Sequence, residues 1–494
     1  MKRKLPIFYS ALLLTGVNLA LRFVSTSFQV YISGRIGAAG VGLLQLVLSV
    51  GALCLTAGTA GARTATMYLT AEELGKKRPE NVRWVLTACV LYSVAVSGSI
   101  SLLLHRFAPL LATRWIGDGR TAGAVRLFAY FLPVSCLCGV MTGYFTAANR
   151  IGTLATVEIG EQAVSMGTTM SLLIFWAGAD PARSCESVVL GSGLGGIFTL
   201  GCLLFLRYRE HAPAGPRIPV RRRLLDTAVP LALADDLKSG ISTAENLMVP
   251  KRLALYPGSR NPLADFGVVC GMVFPILMFP ACILFSLAEL LIPELARCSA
   301  AGSRRRIRYL AGRSLRVALL YGLLCGGILY LTSQGLCMSL YKNETAGKYL
   351  ALYALLAPML YCDALTDAMT KGLGQQKICV RNNIITSALD VVFLFLLLPR
   401  YGMAGYFVSF AVTHLLNFLL SLRLLLKITG PLFELWVPLL SAVSTILAVL
   451  GAQFLASPLL RCGAFVLLLG SLLTLFQVLH REDLTWLRGL LHKK

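Results

Sequence analysis

Charge is scarce in this chain of 494 residues: only 14% are Asp, Glu, Lys or Arg, against about 25% in soluble domains. Acidic residues are scarcer still, 23 against 46 Lys and Arg. Long polar stretches are missing as well; the longest loop has about 18 residues and is basic. A sizeable soluble domain is therefore excluded, which argues against an enzyme that needs a large carboxylate-bearing loop. No CxxC pair occurs among the fourteen Cys, and the five His (His105, His211, His414, His480 and His492) are dispersed, which argues against zinc, any other metal set and a disulfide framework. No GxxxxGK[ST] loop occurs, so ATP is not expected as a direct energy source, and no cofactor is indicated.

What fills the chain instead is apolar residues, 56% of the total, with a mean hydropathy of +0.72. The expected solvent is a bilayer, which about 20 apolar residues span as a helix. Runs of that kind place helices near 7–32, 41–69, 82–104, 122–147, 154–177, 187–206, 224–249, 264–296, 312–333, 348–371, 382–398, 402–426, 433–455 and 462–480. The first follows Lys2-Arg3-Lys4, is too long for a signal-peptide core and reads as a retained helix. The fold class is thus an all-α polytopic membrane protein of about fourteen transmembrane helices.

Lys and Arg set its orientation. With the N-terminus inside, 30 of the 46 fall in cytoplasmic segments, 12 in outer loops and four (Arg22, Arg63, Arg126, Lys238) within helices. Both termini are expected in the cytoplasm of a cell whose inner membrane holds the protein. The clusters Arg221-Arg222-Arg223 and Arg304-Arg305-Arg306 read as topology signals facing anionic lipid, not as a nucleic-acid stripe. The segment 481–494, with Trp486 and Leu490-Leu491, reads as a helix lying on the inner membrane surface.

The chain also repeats itself. Pro133 through Gly143, Ala147, Asn149-Arg150 and Glu158 match Pro358 through Ala368, Gly372, Gly374-Gln375 and Asn383 at an offset of 225. The same offset carries Gly40-Val-Gly42-Leu onto Asp265-Phe-Gly267-Val. Helices 1–6 and 7–12 therefore read as two related six-helix bundles, 1–210 and 211–430, with two added helices in 431–480. Duplications of this kind are typical of transporters that rock one half against the other around a midplane site.

Ionisable side chains in mid-bilayer cost about 2.5 to 3.5 kcal/mol on insertion scales, so their positions map a cavity. Helix 1 carries Asn18, Arg22, Ser25 and Gln29 at i, i+4, i+7, i+11, and helix 7 carries Asp235, Lys238, Ser242 and Glu245 on a like stripe. Arg22, Arg63 and Lys238 are candidates to hold an anionic group, Arg through its bidentate fork. The alternatives are ion pairing within the protein, Arg22 with Glu245 or Lys238 with Asp235, and snorkelling of Arg63 to the inner surface. Asp363 and Asp367, one turn apart on helix 10, and Glu158 on helix 5 are candidates for coupling to Na+, H+ or membrane potential, or for structural hydrogen bonds. Gly191-Ser-Gly193-Leu-Gly-Gly196 fits GxGxxG, but no strand precedes it, and its small residues point to close helix packing.

Three segments carry a resemblance. Ser33-Gly-Arg-Ile-Gly-Ala-Ala-Gly-Val-Gly-Leu-Leu-Gln-Leu resembles a hallmark of the bacterial polysaccharide flippases. The run Gly58 to Glu73 and helix 8, Pro280 to Ala296, are similar to the stage V sporulation protein B branch of the multidrug/oligosaccharidyl-lipid/polysaccharide (MOP) exporter superfamily, which also holds the lipid II flippases and MATE transporters. The resemblance implies a V of two bundles working by alternating access, and an undecaprenyl-pyrophosphate-linked oligosaccharide or peptidoglycan precursor as substrate, for envelope or spore-cortex synthesis. It implies a monomer whose partners are that lipid-linked glycan and membrane lipids. It also points to Arg22 and Arg63 as the counterparts of cavity arginines on the first two helices of lipid II flippases. Drug exporters of the superfamily often carry an acid on helix 1, where this chain has Arg22. A drug/cation antiporter of the same fold, and a membrane glycosyltransferase or polymerase, are the alternatives.

Overall fold

A computed structural model describes residues 7–76, 78–178, 180–210, 220–432, 436–455 and 457–478. They form fourteen helical segments: α1 (7–36), α2 (38–59, resumed as Ala62–Gly75), α3 (Val82–Leu110), α4 (Ala122–Ala147), α5 (Ile151–Phe175), α6 (Pro181–Tyr208), α7 (Arg221–Leu253), α8 (Pro262–Met278 with Cys282–Ala300), α9 (Arg304–Tyr341), α10 (Glu344–Ala354 with Ala357–Gly372), α11 (376–401), α12 (403–429), α13 (Trp436–Ala452) and α14 (Pro458–Leu475). This is a polytopic, all-helical membrane fold. The segment 481–494, read from sequence as a surface helix, lies outside the described residues. Two compact units divide the chain: Met1–Gly267 with Leu394–Gly402, and Val268–Phe393 with Met403–Lys494.

The sequence reading treats 264–296 and 348–371 as unbroken spans, and both are bent, by 63° in α8 and 57° in α10. Prolines explain the positions. Pro280 sits in the α8 break and Pro358 opens the second half of α10, and a proline supplies no N–H to the helical ladder. A carbonyl released in this way has no water to turn to in a bilayer, so side chains must satisfy it. Around the α8 break three tyrosines of the second unit donate to main-chain carbonyls: Tyr341 to Met272 at 3.2 Å, Tyr361 to Leu277 at 2.7 Å and Tyr321 to Pro280 at 2.9 Å. In the first unit Pro133 leaves the Ala129 carbonyl four residues back without its helical donor, and the Ser101 hydroxyl donates to it at 2.6 Å.

The first unit also contains the tightest helix crossing on the repeat. A Cβ on Gly42 would stand 2.2 Å from the Leu263 carbonyl oxygen, and one on Gly267 would stand 2.0 Å from the Ala38 oxygen and 2.6 Å from the Gly42 nitrogen. The offset of 225 relates these two glycines, so equivalent positions of the repeat touch each other, backbone against backbone. The GxGxxG run on α6 serves packing too. Gly191 lies against Thr169 and the Ser165 carbonyl of α5, and Gly193 against the Phe131 ring of α4.

At the other end of α2, charge ties the helices together. Arg223, at the start of α7, donates to Glu72 at 2.6 Å and to Glu73 at 2.9 Å, and the Glu73 carboxylate, 3% exposed, also accepts from Asn81 at 2.9 Å. Removing Arg223 leaves a buried carboxylate with one donor fewer. Arg223→Ala is therefore expected to lower stability by about 1–3 kcal/mol, read as thermal unfolding of the detergent-solubilised protein. An Arg223→Ala, Glu73→Gln pair should recover most of the loss.

Candidate functional site

A polar cavity of about 580 Å3 lies along the α2–α7 seam of the first unit. From α2 it takes Gln45, Ser49, Ala52 and Thr56, and from α7 Asp235, Lys238, Ser239, Ser242, Thr243 and Asn246. Both sets recur at three to four residues, the spacing that puts side chains on one helix face. Hydrogen bonds hold the seam: Thr243 donates to the Ser49 carbonyl at 3.1 Å, Asn246 to the Ser49 hydroxyl at 3.0 Å, and Thr56 to Ser239 at 3.3 Å. None of the residues lining it is aromatic. The cavity thus offers a cation, a carboxylate and a ladder of hydroxyls and amides, a surface suited to a charged, polyhydroxylated ligand.

A second cavity of about 230 Å3 is enclosed by α2, α4, α5 and α6, and its polar lining is Arg63, Ser135, Thr142, Glu158, Glu161 and Thr199. Two glycines of α4 let Arg63 reach it. A Cβ on Gly143 would lie 2.4 Å from the Arg63 carbonyl oxygen, and one on Gly139 would lie 3.6 Å from the Arg63 Cβ. Thr199 donates to Glu161 at 2.8 Å, which fixes one of the two carboxylates opposite the guanidinium. Arg63 and Glu158, assigned separate tasks from sequence, share one chamber.

The second unit has its own polar line across α10, α11 and α12. Asp363 accepts from both sides of its carboxylate, 3.1 and 3.2 Å from the Asn417 amide nitrogen, and Thr386 stands 3.5 Å from the Asn417 oxygen. Asp367 pairs with Lys371 at 2.6 Å. Asp390, buried, accepts from Ser409 at 2.5 Å and Thr413 at 3.1 Å.

Of the other residues singled out from sequence, Arg22 is exposed on α1 and Gln29, two turns on, is half-buried. The Asn18 side chain lies outside the described residues. Glu245 is half-buried on α7, and the residue lining the α2–α7 cavity at that level is its neighbour Asn246. Gln45, Ser49 and Thr56 were not anticipated. Their i, i+4, i+11 spacing in an apolar helix is the signal that singled out helix 1, and it would have found them.

In fold the chain is similar to solved transporters of the MOP superfamily. The inward-facing structure of a multidrug resistance MATE family transporter of that superfamily superposes with a TM-score of 0.67 at 14% identity, covering 84% of this chain and 98% of the other. Lipid II flippase MurJ, in an inward closed conformation, gives 0.66 at 11% identity over 94% of this chain and 98% of that one. In sequence, the chain is similar to stage V sporulation protein B of Bacillus subtilis (strain 168), 21% identical over 411 residues, 80% of this chain and 78% of the relative. No protein-family model matches it.

Proposed function

We propose that the protein is a flippase, moving a lipid-linked anionic glycan across the cytoplasmic membrane by alternating access. The observation that carries this reading is the α2–α7 cavity: Lys238 suits a diphosphate, the hydroxyl and amide ladder suits sugar, and no lining residue offers the aromatic face that a planar drug would stack on. A resemblance of sequence to stage V sporulation protein B and of fold to MurJ supports it. Arg22, Arg63, Lys238, Asn18, Gln29 and Glu245 are the proposed substrate-binding set. Undecaprenyl-pyrophosphate-linked oligosaccharide or peptidoglycan precursor is the proposed cargo.

Both termini are proposed to be cytoplasmic and the unit of function a monomer. Coupling draws on an ion gradient or on membrane potential, worth about 2.3 kcal/mol per charge per 100 mV, with Asp363, Asp367 and Glu158 as the coupling carboxylates. The protein then needs no catalytic residue. In proteoliposomes holding a fluorescent undecaprenyl-pyrophosphate sugar, the chain should speed transbilayer movement without ATP. Lys238→Ala should slow it about tenfold, the effect of losing one charge-assisted hydrogen bond. Transport of aromatic cations with no movement of the glycan lipid would overturn the reading in favour of drug/cation antiport.

A further inference from the structure

The end of α7 remote from Arg223 carries three ties for which the cavity reading has no use. Lys251 Nζ donates to the Arg114 carbonyl at 2.5 Å, in the wide turn Leu111–Ile116 that finishes α3. The Arg252 guanidinium carbon lies 3.3 Å from the centre of the Phe395 ring. Tyr256 lies against Gly402, whose φ of +57° favours glycine and where a Cβ would stand 2.7 Å from the Tyr256 ring. The last two turns of α11 with Gly402, Leu394–Gly402, belong to the first unit, and the rest of α11 and α12 to the second. Beside the clasp is an apolar cavity of about 570 Å3, lined by Leu53, Trp115, Leu247, Met248 and Phe395 and sharing Thr243 with the polar cavity.

We propose that Arg252, Phe395, Tyr256 and Gly402 form a releasable clasp that seals this end of the α2–α7 cavities, and that its release opens them to the water on that side. The inference rests on the alternating-access reading above and, for the side concerned, on cytoplasmic termini, which place the clasp at the outer surface. Its chemistry suits a contact that must be broken repeatedly. A cation over a ring at the membrane edge, once parted, returns the guanidinium to water and the ring to hydrocarbon, so neither partner is stranded. A buried ion pair broken at the same place would leave two desolvated charges. The Gly42–Gly267 crossing, by contrast, is backbone on backbone and offers no such alternative.

Labelling of a Met248→Cys thiol by a membrane-impermeant maleimide tests the clasp without reference to any substrate. In intact cells, above the background of the fourteen native cysteines, Phe395→Ala and Arg252→Ala should each raise the labelling rate about three- to fivefold, as expected for loss of a cation–π contact at an exposed ring. Phe395→Trp, which keeps a ring for the cation, should leave the rate near that of Met248→Cys alone. An increase confined to inverted vesicles would uphold the clasp and overturn the assignment of cytoplasmic termini. Equal rates with and without the ring, in both cells and inverted vesicles, with the thiol reactive after denaturation, would overturn the clasp itself.

Discussion

Gly267→Ala should be among the most damaging single-methyl substitutions in the chain. A methyl group there must occupy space 2.0 Å from the Ala38 carbonyl oxygen and 2.6 Å from the Gly42 nitrogen, and both obstacles are backbone. No rotamer change relieves such a contact; the helices must separate. Overpacking of this kind costs about 1–3 kcal/mol, and more where backbone has to move. The expected result is a lower yield of folded protein and a melting temperature in detergent several degrees below the parent. Gly42→Ala should do the same, since its Cβ would lie 2.2 Å from the Leu263 oxygen. Gly98→Ala is the control, with nothing within 4 Å of the added methyl. If Gly267→Ala and Gly98→Ala melt alike, the crossing is looser than described.

That crossing was half legible in the sequence. The offset of 225 paired Gly42 with Gly267 as equivalent positions, yet nothing in a linear pattern says that equivalents touch. The helices were legible because a bilayer imposes one requirement, about twenty apolar residues, that most spans meet by themselves. Seven described helices are individually long and apolar enough to cross, and two of these contain two spans each, parted at Gly37 and Gly402, where φ is +71° and +57°. The bends in α8 and α10 escaped because proline is common in membrane helices, and whether it breaks one depends on donors such as Tyr321, Tyr341 and Tyr361 arriving from elsewhere. On α7 the cavity takes Asp235, Lys238, Ser242 and Asn246, and Glu245 is half-buried next to Asn246. The chamber that joins Arg63 to Glu158 depends on two α4 glycines admitting α2, a tertiary fact no spacing encodes.

Arg63→Ala should slow flipping of a lipid-linked glycan about 10- to 100-fold, the effect of removing one or two hydrogen bonds to a charged group. A diphosphate entering a low-dielectric cavity exchanges water for fixed donors, and a guanidinium presents two in one plane. Arg63→Lys keeps the charge without the fork and should restore only part of the rate. The chamber supplies a rival account: with Glu158 and Glu161 in the same lining, Arg63 could serve only to balance buried carboxylates. The two accounts differ in what a second substitution does. If Arg63 only balances charge, Arg63→Ala should lower protein level in the membrane, and adding Glu158→Gln should restore both level and flipping. If Arg63 binds the cargo, Arg63→Ala should leave the level near normal, and Glu158→Gln should rescue nothing, because the missing donor is still missing. Restored flipping in the double variant would therefore remove Arg63 from the substrate site and leave Lys238 as the cation on which the head group depends.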